Sequence, residues 1–274
     1  MKNKILCSTG TMIGRYNNCD YRLVAGAAKS LDCDGFELMM LEAYYEHQDD
    51  IPRFFEPTGL VFPVIHADKS IGDRISFHGD ENAAEAVRRF TLNCELGRNI
   101  GARRIVLHLW GGAASDGDIA FNIAFCERLI EIADRNGLRL TVENIPCVHR
   151  DPLTHWKVLA ETYPTLDFIF DTRFGGFHGQ IGQVVRDGWF GPGSRIRHIH
   201  VSDFTGPAGD FKTLRPILHP GEGIVDLDGF FAAVAPLYDG TITLESPVLA
   251  EDGTLDLVKL NNSLTYIRKQ VNEQ

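Results

Sequence analysis

The chain lacks any run near the roughly 20 apolar residues that a bilayer-crossing helix needs, so no membrane partner is expected. The apolar stretch in MKNKILCSTGTMIGRYNNCD is too short for a secretory leader. Cysteine is sparse. Cys7, Cys19, Cys33, Cys94, Cys126 and Cys147 form neither a CxxC pair nor a regular framework, which argues against a disulfide scaffold and predicts reduced thiols in a cytoplasmic protein. Basic charge is also short, with 27 Lys and Arg against 37 Asp and Glu. The resulting net charge of -10 disfavours nucleic acid or an anionic membrane as a partner and suits an enzyme of small molecules. No linker, low-complexity stretch or repeat interrupts the 274 residues, and a single domain over 1–274 is expected.

What the chain has is alternation. The strand-like runs KILCST, GFELMM, LVFPVIH, RRIVLHL, LRLTVEN, LDFIFD, IRHIHVSD and TITLES are short, apolar and rich in β-branched residues. Helical spacing follows them over 21–31, 45–55, 81–100, 116–136, 152–162, 179–187, 227–237 and 255–271. Eight strand–helix units of this kind predict an α/β chain folded as one (β/α)8 TIM barrel.

Four of the runs end on a side chain that a buried strand tolerates poorly. Glu143 closes LRLTVEN, Asp171 closes LDFIFD, His200 closes IRHIHVSD and Glu245 closes TITLES. Counting back by twos puts Thr141, Ile169, His198 and Thr243 on the same strand faces, while the opposite faces are almost purely apolar. Strand ends also carry polar residues simply because they reach the surface. Four in one phase point instead to a common partner, since a buried charge is costly unless something pairs with it. Three carboxylates and one imidazole suit one divalent cation, Mn2+ first, with Mg2+, Co2+ or Zn2+ as alternatives. A cation holding adjacent carbonyl and hydroxyl oxygens acidifies the C–H between them. Glu143 and Glu245 then serve as the catalytic pair that removes and returns the proton.

The segments VENIP, FIFDT, HIHVSD, HPGEG and TLES, with GFELM and IVLHLWG earlier, resemble the xylose isomerase-like TIM barrels, a group of sugar isomerases and epimerases. The resemblance to its ketose 3-epimerases implies metal ligation by Glu143, Asp171, His200 and Glu245, with the two glutamates as acid and base. It implies an isomerase or epimerase of a small sugar or related polyhydroxy carbonyl compound, acting through a metal-bound enediolate, and a dimeric or tetrameric homo-oligomer. Two positions depart from that pattern. Phe174 stands where those epimerases carry a histidine three residues after the aspartate, and no arginine follows HIHVS. Both positions normally touch the substrate near its reacting carbons, so the sugar is left unspecified. Alternatives are a metal-dependent lyase or dehydratase on a sugar-derived keto compound, an abasic-site endonuclease using several metals, and a non-catalytic sugar-binding barrel.

Substrate contacts are expected from His66 and His108 at neighbouring strand ends, from Lys69 and Glu37, from Trp110 as an apolar wall, and from Arg173 or His178 in place of the missing groups. For each there is a plainer role: solvated lysine, packed tryptophan, loop-bound histidine. His198, one layer below His200, reads as a structural hydrogen-bonding residue, and His149 and His155 read as surface residues.

Overall fold

The structure is a computed structural model and describes residues 3–272. In chain order the elements are β1 (Lys4–Ser8), α1 (Leu23–Ala27), β2 (Gly35–Met39), α2 (Asp50–Phe55), β3 (Val64–His66), α3 (Ser70–Phe77), α4 (Asp80–Asn99), β4 (Arg104–Leu107), α5 (Ile119–Arg135), β5 (Arg139–Glu143), α6 (Pro152–Thr162), β6 (Asp167–Asp171), α7 (Thr172–Phe177), α8 (Ile181–Arg186), β7 (Ile196–Val201), α9 (Leu227–Val234), β8 (Thr241–Leu244) and α10 (Leu257–Asn272). The eight strands close into a barrel in sequence order, with parallel pairing. The expected (β/α)8 fold is therefore present. No helix among the described residues is long and apolar enough to cross a membrane.

Internal contacts divide the chain into two compact units, residues 1–37 with 170–274, and residues 38–169. Both division points fall inside strands, β2 and β6. In the first unit, Ile5 and Cys7 pair with Ile242 and Leu244, and His198 and His200 pair with Thr241 and Thr243. Beneath the strands, Phe230 stacks on Phe170 at 5.7 Å between ring centres and meets Phe190 edge-on at 5.8 Å. In the second unit, β4 lies between β3 and β5, and Arg104 Nη1 donates to Thr141 Oγ1 and Asp167 Oδ2, both at 2.9 Å.

Local chemistry sets the helix ends. Asp151 accepts from Thr154 N and precedes Pro152, whose missing N–H costs nothing in a first turn, so α6 starts where the sequence reading put it. Four other stretches differ from expectation. The 21–31 and 45–55 segments break into short α and 3-10 turns, with Pro52 near the start of α2. Two helices, α3 and α7, arise where loops were expected. The α3 helix lies so close to the segment after β4 that a Cβ on Gly72 would sit 2.5 Å from the His108 carbonyl oxygen. A side chain there would push the helix away. In α7 the capping residue is Asp171 itself, whose Oδ1 accepts from Phe174 N at 2.8 Å.

Candidate metal centre

Every expected ligand lies at the C-terminal end of a strand, where barrels of this kind carry their chemistry. In the first unit, Asp171 ends β6, His200 lies on β7 and Glu245 follows β8, tied by its backbone N–H to the Val201 carbonyl at 3.0 Å. Ligand-capable atoms of Asp171, His200 and Glu245 all lie within 4.8 Å of one another. His200 Nδ1 is 3.5 Å from Glu245 Oε2. Glu245 Oε1 is buried and meets no hydrogen-bond partner among the described residues. A carboxylate oxygen in that position suits a cation, because a buried anionic lone pair left without a partner is costly.

Behind His200 sits Glu37, fully buried. Its Oε1 is 2.9 Å from His200 Nε2, while Oε2 takes His198 Nε2 at 2.7 Å and Thr243 Oγ1 at 2.8 Å. Burial alone would raise the Glu37 carboxyl. The imidazoles of His200 and His198 outweigh it and hold the group well below the usual carboxylate range. His198 completes the chain with Nδ1 against Thr241 Oγ1 at 2.5 Å.

In the second unit, Glu143 ends β5 and is 1% exposed, with Oε2 3.3 Å from His66 Nε2 and 2.7 Å from His108 Nε2. These three also form a group with ligand-capable atoms within 4.8 Å. His66 pairs with Val106 in the sheet, so His108 stands one layer above it rather than at equal depth. His66 Nδ1 lies 2.8 Å from the Ala67 carbonyl, which can only accept, so Nδ1 donates there while Nε2 faces Glu143. Burial pushes His108 down to about 4, against the opposing pull of Glu143, so the ring is neutral near pH 7.

The remaining expected contacts are placed as follows. Lys69 is exposed and caps the start of α3, and its charge is one of those that disfavour protonation of His108. Trp110 is fully buried, edge-on to His155 at 5.4 Å between ring centres. Arg173 lies over the Phe174 ring at 4.4 Å and donates to the Leu214 carbonyl at 3.1 Å. His178 is half-buried against the edge of Phe177.

His155 is not a surface residue. It is buried, with Nε2 2.9 Å from Asp116 Oδ2, and Asp116 also takes the backbone N–H groups of Val148, His149 and Arg150. With Cys147 they make a third group of ligand type. A second carboxylate missed from sequence is Asp203, which takes the N–H groups of Gly221, Gly223 and Val225 and so shapes the HPGEG loop. A Cβ on Gly223 would lie 2.3 Å from the Phe204 carbonyl oxygen, so only glycine lets that loop close onto Asp203. None of the six cysteines is in a disulfide.

The family model for the xylose isomerase-like TIM barrel matches residues 25–260, and the chain belongs to that family. No curated protein matches the chain. Among solved structures it is similar to an L-ribulose 3-epimerase, at 15% identity and TM-score 0.75, over 99% of this chain and 95% of that one. It is similar to the IolI protein with a bound zinc atom, at 14% identity and TM-score 0.72, over 99% and 100%. A xylose isomerase-like TIM barrel/4-hydroxyphenylpyruvate dioxygenase fusion protein matches at 18% identity and TM-score 0.75, and this chain spans 44% of its length. At these identities the likeness is one of fold.

Proposed function

We propose that the protein is a divalent-metal-dependent isomerase or epimerase of a small sugar or related polyhydroxy carbonyl compound. Glu143, Asp171, His200 and Glu245 are its ligand set, Mn2+ the metal that best suits them. The observation that carries this reading is the triple of Asp171, His200 and Glu245, with the buried Glu245 Oε1 left for a cation.

When bound, the ion supplies Lewis acidity that polarises the substrate carbonyl and acidifies the neighbouring C–H. Glu143 takes that proton on one face of the carbon, and Glu245 delivers one to the other. His66 and His108, which flank Glu143, orient its carboxylate and meet substrate hydroxyls. The test uses Mn2+-loaded protein, a panel of ketoses and keto acids, and exchange of the substrate α-proton in D2O. Glu143→Gln and Glu245→Gln are each expected to slow exchange by about 10²–10⁴-fold. Undiminished exchange in both variants would refute the base pair. A lyase shares this first step, and its product is lighter by one water.

A second reading is favoured by one observation. His66, His108 and Glu143 bring three ligand atoms within 4.8 Å of one another, which is how two imidazoles and a carboxylate hold a transition metal. In that reading a second ion shares Glu143, and metal analysis finds two equivalents per chain rather than one.

A further inference from the structure

Glu37, His200 and Glu245 carry equally good ligand atoms, yet their surroundings give them different work. Both oxygens of Glu37 are occupied by protein donors: His200 on Oε1, His198 and Thr243 on Oε2. A carboxylate only accepts, so each imidazole must present an N–H at Nε2. For His200 this leaves the lone pair of the neutral ring on Nδ1, the atom 3.5 Å from Glu245 Oε2. A lone pair on Nδ1 facing a carboxylate oxygen at that distance is the geometry a shared cation fits. For His198 the same logic sends Nδ1 to the Thr241 hydroxyl, which donates to it. Thr243, opposite His200 on β8, donates its hydroxyl to Glu37 and so keeps the carboxylate facing the two rings.

We infer that Glu37 is a positioning residue that locks His200 in the Nε2–H tautomer, so that Nδ1 is the atom offered to the metal. Substrate contact, its role on sequence grounds, is then replaced by a hold on one ligand. The inference rests on the metal-centre reading above. Glutamine at position 37 keeps the shape but puts an N–H₂ where an oxygen stood, and a donor facing His200 Nε2 favours the opposite tautomer. Loss of such a support weakens metal binding by about 10–100-fold.

The experiment has two readouts on the full chain. Long-range 1H–15N correlation of the imidazoles in metal-free protein at pH 8 reports each ring's tautomer, and Co2+ titration followed by its visible absorption reports affinity. The wild type is expected to show His200 as Nε2–H. Glu37→Gln is expected to lose that signature and to bind Co2+ about 10–100-fold more weakly. An Nδ1–H tautomer for His200 in the wild type overturns the inference whether or not the variant folds. Glu37→Gln with tautomer and Co2+ affinity unchanged overturns it while leaving the metal centre standing. A wild type that binds no Co2+ removes the metal centre and the inference together.

Discussion

Two buried histidines, His200 and His155, each rest against a buried carboxylate at 2.9 Å, and both belong to groups of metal-ligand type. Their surroundings separate them. Glu37 spends its oxygens on side chains of two strands, and His200 keeps a second nitrogen turned toward Glu245. Asp116 spends its oxygens on three successive backbone N–H groups of the loop after β5, on Ser115 and on His155. Those bonds outweigh the cost of burial and hold Asp116 below the usual carboxylate range. Beside the first cluster Glu245 Oε1 meets no hydrogen-bond partner among the described residues, whereas the second spends its carboxylate on fixing a loop. Ligand-type side chains near one another do not make a site unless lone pairs are left over.

The largest effect should come from breaking the loop clamp. Asp116→Ala strands three N–H groups and buried His155, and is expected to cost about 3–5 kcal/mol of stability, read from urea unfolding. Its Co2+ affinity should stay within about twofold of wild type, whereas His200→Ala should lose roughly 100-fold or more. If Asp116→Ala weakened Co2+ binding as much as His200→Ala, the contrast between the clusters would be wrong.

A third histidine–carboxylate pair sharpens the point through pH. His108 titrates near 4 when folded and near 6.5 when exposed, so the unfolded chain binds more protons between those values. Its contribution is complete above about 6.5 and lost as pH falls toward 4, on the order of 3 kcal/mol in metal-free protein. Chemical unfolding across that window should show the slope, and His108→Asn should flatten it.

The smallest effect is expected from Cys147. Burial raises its thiol far above the ordinary range, so it is neither a nucleophile nor a thiolate ligand. Cys147→Ala should cost about 1 kcal/mol, with Co2+ affinity unmoved. Rapid modification of Cys147 by a thiol reagent in native protein would contradict this.

Legibility from sequence followed the range of the interactions. Strand ends at Glu143, Asp171 and His200 were readable because a two-residue period and β-branched runs are local signals. So was α6, from Asp151 and Pro152. Helix α3 was not readable, because Gly72 and its carbonyl neighbours after β4 meet only in the folded chain. The partner of His155 lies 39 positions earlier, and nothing near a helix start announces it.

Residue order alone determined the number of strand–helix units, their closure into a barrel and the chemical type of each strand terminus, all of which rest on periodicity and caps a few residues long. Tertiary structure decided which side chain meets each nitrogen of the buried histidines, and which carboxylate is consumed in holding another group. Glu37 and His200 are 163 positions apart, and a hydrogen-bond partner at that separation exists only once the chain has closed on itself.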